Sequence, residues 1–424
     1  MSEKNSRGYS QYVLLALLTV YSINYMDRQI IAVLSPQIKA ELGLTDTELG
    51  LLKGTAFALF YSTMSVPLAM LGDRMNRVNL ITISLALWSA MTAVCGLATS
   101  FIQLFFFRMA VGIGEAGSTP PSHSLLADYF TREKRSTALA VYSLGVPIGT
   151  LLGLLIGGGI AAHYGWRIAL LSLGIPGVFL AVVVKLTVRE MARGSAEATA
   201  RQATAAPDPI VTVARRIWSI PTYRRMVLSG SLNAFVGYGL SMWMVDFYVR
   251  TYHVPLTQVG LWMALAFGVG GGIGTFAGGT IVDRLARTKV TSYLTIPGAA
   301  LILAAPLTLL CVLTSSMTLS VTCLFILSGL IYAPFGPVYG LVQTLAPVNN
   351  RSLAIAFFFL FQSMIGAGLG PLSVGIASDQ LSKILPPERA LTLSLAALAA
   401  LLLVAGLLLY AGRTQLKADL ARAA

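Results

Sequence analysis

Stretches of about 20 or more predominantly apolar residues recur along the chain, at 11–36, 49–71, 78–98, 101–128, 137–162, 167–187, 225–249, 257–282, 290–314, 318–342, 352–377 and 389–412. At ~1.5 Å rise per residue, each is long enough as a helix to cross a ~30 Å hydrocarbon core. A composition of 56% hydrophobic and 11% charged residues, with mean hydropathy +0.75, lies outside what a soluble globular domain tolerates. The first stretch begins too near a polar N-terminus, and runs too far through Asp27 and Arg28, to be a cleaved signal peptide. The expected class is an all-α membrane protein of twelve transmembrane helices.

A net charge of +13 raises the question of nucleic acid, and the location of the charges argues against it. With the N-terminus inside, one side collects Lys4, Arg7, Arg74, Arg77, Arg132, Lys134, Arg135, Arg284, Arg287, Lys289, Arg351, Arg413, Lys417 and Arg422. The other side offers Lys39, Lys53, Arg167, Arg250, Lys383 and Arg389. That asymmetry follows the positive-inside rule and assigns both termini to the cytoplasm, in a bacterial inner membrane. Cys95, Cys311 and Cys323 fall inside apolar stretches without ligand spacing, so neither disulfide nor metal site is expected.

The longest hydrophilic interruption separates six stretches from six, dividing the chain into bundles at 1–187 and 223–424 with a linker at 188–222. Within the linker Ile210, Val213, Ala214, Ile217 and Trp218 fall at helical spacing beside Arg215 and Arg216, fitting either an interfacial helix or a solvated basic connector. Gly50-Leu51 with Ala56-Phe57 recurs 210 residues later as Gly260-Leu261 with Ala266-Phe267, and the same offset maps Asp73, Arg74 and Arg77 onto Asp283, Arg284 and Arg287. Two parallel six-helix halves joined by a cytoplasmic linker resemble the major facilitator superfamily. The family pattern Gly-x-x-x-Asp-Arg-x-x-Arg is met by Gly279 to Arg287, whereas the first copy has Ala69 for the glycine, which removes the expected close helix approach there. The resemblance implies that these six charged residues latch the halves on the cytoplasmic side.

Gly112-Ile-Gly114-Glu115-Ala-Gly117 matches a dinucleotide fingerprint letter for letter. Such a loop must follow a soluble strand, yet Phe101-Ile-Gln-Leu-Phe-Phe-Phe precedes it in an apolar run, and Glu115 would repel a phosphate. The stretch, led by Arg108, resembles instead the superfamily's fourth-helix pattern Arg-x-x-x-Gly-x-Gly, in which small residues admit a neighbouring backbone. Gly145, Gly149, Gly153 and Gly157, four residues apart with Pro147, form a similar stripe on the fifth helix.

Charge inside hydrocarbon costs at least ~2.5–3.5 kcal/mol at a helix centre, so Asp27, Arg28, Arg108 and Glu115 demand a reason. Arg108 and Glu115 are two turns apart on one helix face. Asp27, ~24 Å from the inner end of the first helix, lies at the depth of Arg108, ~10 Å from the outer end of the fourth. The two are expected to meet, with Glu115 near the midplane. Burial favours the neutral acid and a nearby arginine favours the carboxylate, so a motion that displaces the arginine switches proton affinity. The expected function is a proton and gating relay, with protons as coupling ion and no cofactor; a packing-only ion cluster is the alternative.

Ile23-Asn24-Tyr25-Met26-Asp27-Arg28, Gly112-Ile-Gly-Glu115-Ala, Ala127-Asp128-Tyr-Phe, Tyr142-Ser-Leu-Gly-Val-Pro147-Ile-Gly149 and Gly165-Trp166-Arg167 together resemble the spinster family. That resemblance implies proton-linked, rocker-switch export of a lipid or lysolipid by a monomer. Proton-coupled symporters of small organic anions share part of the pattern, and a non-transporting receptor is a second alternative. Asn24, Tyr25, Asn233, Tyr238, Gln343 and Gln362 are the candidate cavity residues; the last four, with Ser363, lie in a C-terminal half otherwise apolar enough to suit an amphiphile with an anionic head. In that half, Gly268 to Gly279 and Pro334 to Pro337 suggest bent helices, while Asp246 and Arg250, one turn apart, fit a solvated helix end or an outer gate. His123 and Asp128 have the His-x4-Asp spacing of membrane acyltransferases, without a companion nucleophile or substrate motif, so catalysis is not expected.

Overall fold

A computed structural model describes residues 7–192, 210–346 and 351–423. Among them there is no strand, and the helices run in chain order as α1 Arg7–Leu42, α2 46–74, α3 Arg77–Cys95, α4 101–129, α5 132–164, α6 166–187, the linker helix α7 Ile210–Trp218, α8 Pro221–Tyr252, α9 256–286, α10 Ser292–Leu313, α11 317–345, α12 351–381 and α13 Pro387–Ala423. α5 and α6 are continuous in hydrogen bonding except at Gly165, whose φ of 82° turns the chain. By length and composition alone, seven helical stretches suffice to cross a membrane. α1, α2, α4 and α8 do not reach that mark, and they carry Asp27, Arg28, Asp46, Arg108, Glu115, Asp246 and Arg250.

The chain forms two compact units, one of residues 1–44, 51–203 and 255–264, the other of 45–50, 204–254 and 265–424. In the first, the glycine stripe of α5 packs on α1. A Cβ on Gly149 would lie 2.2 Å from the Ser22 carbonyl oxygen, and one on Gly153 would lie 2.9 Å from the Met26 Cα. Gly112 and Gly114 do the same for α4, against the Phe57 carbonyl of α2 and Trp88 of α3. These glycines admit helices, as expected, and cradle no phosphate. In the second unit Gly274 and Gly278 of α9 press on Gly329 and Ala333 of α11. Gly279 of the repeated motif has nothing within 4 Å, so the close approach expected of it falls to Gly278.

Several helices depart from regular winding. α4 breaks after Ala116 and restarts at Thr119, where Pro120 and Pro121 lack the amide that a continuous helix would need, so the uniform span expected over 101–128 is two helices. α2 and α9 contain wider-wound π segments at Leu51–Thr55 and Ala264–Gly270. Adding the repeat offset of 210 to 51–55 gives 261–265, so the two distortions overlap in register. α12 has a third at Gln362–Leu369, and α11 breaks between Tyr332 and Phe335 at Pro334. Lys53, counted above among the charges of the non-cytoplasmic side, is buried within the α2 π segment.

The linker helix α7 is amphipathic: Val213 and Ile217 are buried, Arg215 and Arg216 exposed, and Trp218 stacks on Phe361 with ring centroids 5.5 Å apart. Its apolar edge is thus occupied by the second unit. Cys95, Cys311 and Cys323 are buried free thiols, and no metal-holding cluster occurs among the described residues.

Candidate functional site

In the first unit the charged residues of α1 and α4 converge. Arg28 Nε donates to Glu115 Oε2 at 2.7 Å, with Glu115 fully buried and Arg28 14% exposed. The guanidinium carbon lies 4.9, 4.9 and 4.4 Å from the ring centroids of Tyr25, Phe57 and Tyr61, so aromatic faces replace the water around it. Arg108, also buried, donates through Nη1 to the Asp27 carbonyl oxygen at 3.3 Å. The expected meeting of Asp27 with Arg108 occurs through the backbone of Asp27, and the direct ion pair belongs to Arg28 and Glu115.

Several groups around this pair are poorly hydrogen-bonded. Both carboxylate oxygens of fully buried Asp27 lie against the Thr92 hydroxyl and the Trp88 indole nitrogen without a hydrogen bond of ordinary geometry. Glu115 Oε1 and both amide atoms of buried Asn24, which faces Glu115, likewise lack one. Buried polar atoms are rarely left so, and each exception calls for a mobile partner such as water, a proton or a ligand. Two acids and two arginines in one buried site form a device in which moving a single guanidinium changes which acid is compensated.

The second unit holds the other cavity candidates. Asn233 and Gln362 line a small cavity with Ser229, Gly230, Pro334 and Tyr339. Asn233 Nδ2 donates to the Ile331 carbonyl at 3.0 Å, Gln362 Nε2 to the Gly230 carbonyl at 3.2 Å, and Tyr339 OH to Gln362 Oε1 at 3.3 Å. Gln343 is exposed on α11 and Tyr238 is half-buried on α8, and neither lines this cavity; the sequence reading missed Tyr339, whose polar end the surrounding aromatic residues conceal.

Asp246 and Arg250 do not form a solvated helix end. Asp246 is fully buried, and Arg250 donates to it at 3.3 Å and to both oxygens of Asp46 at 2.8 Å each. Ser378 donates to Asp46 at 2.6 Å, and Asp379 accepts from the amides of Asp46 and Thr47 at 3.0 and 2.7 Å. Nothing local in the sequence marks Asp46 and Asp379, which lie far from Arg250 along the chain.

The two copies of the charged motif diverge. Arg77 is 1% exposed and sits inside its own bundle, Nε donating to Glu190 at 2.7 Å, Nη1 to Asp128 and to Ser124, and Nη2 to the Met191 carbonyl at 2.7 Å. Arg74, Asp283, Arg284 and Arg287 are exposed, Tyr293 OH donating to Asp283 at 3.4 Å, and the Asp73 side chain lies outside the described residues. Asp128 is therefore engaged by Arg77, and His123 instead meets Tyr142 edge-on at 5.1 Å, so no His–Asp dyad exists.

A sequence model of the Major Facilitator Superfamily matches residues 17–371. The chain belongs to the Major Facilitator Superfamily. Within the superfamily it is 31% identical to an "MFS-type efflux pump" of Mycolicibacterium smegmatis, over 92% of this chain and 90% of that one. It is 28% identical to "Protein spinster homolog 1" of Homo sapiens, over 92% of this chain and 78% of the relative. Among solved structures, a bacterial homologue of the human lysosomal transporter Spinster, inward-facing and occupied, matches with TM-score 0.87 at 29% identity, covering 98% and 99% of the two chains. The protein is thus a multi-pass membrane transporter of spinster type, with the two six-helix bundles of the superfamily, and its relatives are transporters, not enzymes.

Proposed function

We propose that the protein exports an amphiphilic anion, of lysolipid type, in exchange for protons by rocker-switch alternating access, from a bacterial inner membrane with both termini cytoplasmic. The observation that carries this reading is the buried Arg28–Glu115 pair beside a fully buried Asp27 carboxylate that forms no direct ion pair. A buried carboxylate whose guanidinium moves away is neutralised by a proton, because an unpaired buried charge is far costlier than a neutral acid. An anionic headgroup that draws Arg28 from Glu115 thereby couples its own binding to protonation. The aromatic rings around Arg28 suit a headgroup carrying an apolar extension, and the lining of the second unit is mostly apolar. Similarity to an efflux pump supports the outward direction.

Counterflow in proteoliposomes tests the proposal. Labelled lysophospholipids and small organic acids are compared with internal pH recorded, and lysolipid accumulation with an opposing proton movement is expected. Accumulation of small acids alone favours a symporter of small organic anions, and absence of any flux favours a receptor.

A further inference from the structure

His123 takes no part in a dyad with Asp128, yet its surroundings join it to the charged site. It is exposed on the second segment of α4, its ring edge-on to Tyr142 of α5 at 5.1 Å. Tyr142 is fully buried and stacks on Tyr21 at 4.5 Å; Tyr21 meets Tyr25 edge-on at 5.2 Å; and Tyr25 and Tyr61 flank the guanidinium that holds Glu115. Tyr142 OH lies against the hydroxyls of Thr119 and Ser122 without a hydrogen bond of ordinary geometry. Ser118 Oγ and Thr119 Oγ1, at the break in α4, are buried and lack such a bond as well, as do Glu115 Oε1 and the Asn24 amide. Poorly bonded polar atoms thus lie along α4 and its neighbours from the exposed imidazole to the fully buried carboxylate. Buried sites of this kind hold water hydrogen-bonded to several protein groups.

We infer that His123 and the hydroxyls of Tyr142, Thr119 and Ser118 form the proton-access route to Glu115, with His123 at its aqueous mouth; this rests on the proton-coupled reading above. The imidazolium gives its N–H proton to the first hydroxyl or water. Each oxygen in the row accepts one proton and passes on another, and the last O–H bond formed is on Glu115. Release runs the same steps in reverse, and no group is oxidised or reduced. Imidazole suits the mouth because one ring nitrogen can accept a proton while the other gives one up. The titratable group that faces His123 is Tyr142 of α5, and Asp128 lies on its own helix. Asp128 is held by Arg77, and Arg135 of α5 donates to the Ala127 carbonyl.

The test measures substrate-driven proton flux in proteoliposomes, in H2O and in D2O, for wild type, His123→Gln and Tyr142→Phe, with thermal unfolding of each variant as a folding control. Both variants are expected to slow proton flux by about tenfold or more, within what a positioned acid–base group supplies. The solvent isotope effect is expected to rise, because proton access becomes the slow step. Unchanged flux in both variants overturns the inference, as does slowing without a rise in the isotope effect, which marks a packing role. Wild type that moves substrate but no protons overturns the proton-coupled reading itself, an outcome distinct from the other two.

Discussion

The asymmetry between the two copies of the charged motif makes a quantitative claim about Arg77. Its guanidinium is 1% exposed and compensates Asp128, 10% exposed, and Glu190, 25% exposed. Breaking a buried ion pair by removing one partner costs ~3–5 kcal/mol, because a charge stays behind without compensation. Glu190 is open enough to regain some water, so the lower end applies: Arg77→Ala should cost about 3 kcal/mol of stability. Arg287, its repeat counterpart, is exposed, and Arg287→Ala should cost ~0.5 kcal/mol or less. The assay is SDS-induced unfolding of the protein in mixed detergent micelles, with Asp128→Ala and the double variant completing a cycle. A coupling energy of at least ~1 kcal/mol between Arg77 and Asp128 is expected. Equal costs for Arg77→Ala and Arg287→Ala, or a coupling near zero, would refute the reasoning.

Other outcomes follow from the packing and surface contacts. Gly149→Ala sets a methyl group against the Ser22 carbonyl and should destabilise by ~1–3 kcal/mol, whereas Gly159→Ala, with nothing within 4 Å, should be neutral or stabilising in the same unfolding assay. Asp46→Ala strips Arg250 of its two-oxygen partner, and a loss of about 3 kcal/mol is expected; a loss below 0.5 kcal/mol would contradict the buried cluster. Glu41, beyond the first apolar stretch, accepts from Trp166 Nε1 at 2.6 Å and from Arg167 Nε at 2.9 Å, and these bonds hold its carboxyl below the usual carboxylate range. Stability from this clamp is present above the ordinary glutamate value and lost as pH falls through the depressed one, so thermal unfolding of wild type should fall more steeply in that acid range than that of Glu41→Gln.

Much of the site was legible because hydrocarbon makes charge expensive: Asp27, Arg28, Arg108 and Glu115 stood out against apolar runs without reference to any contact. Their pairing was less so. The seven-residue spacing sets Arg108 and Glu115 on one face of α4, but which arginine reaches which acid depends on side-chain direction, and Arg28 reaches Glu115 among rings supplied by α1 and α2. The glycine stripe of α5 was readable from its period alone. The burial of Arg77 was not, because it depends on the return of Glu190 and Met191 after α6, and a basic residue at a helix start ordinarily reads as topogenic charge. Asp46 and Arg250 are 204 residues apart, so only the fold joins them, whereas Asp246 and Arg250 at one-turn spacing could be seen. The break in α4 had a local mark in Pro120 and Pro121, which the apolar length of the run outweighed.

The central claim is that the acids of α1 and α4 carry the coupling. It is tested most directly by substrate transport in proteoliposomes as a function of the imposed pH gradient, for wild type, Asp27→Asn and Glu115→Gln. The account predicts folded variants whose transport responds weakly to the gradient that drives wild type. Gradient dependence equal to wild type in both variants would contradict it.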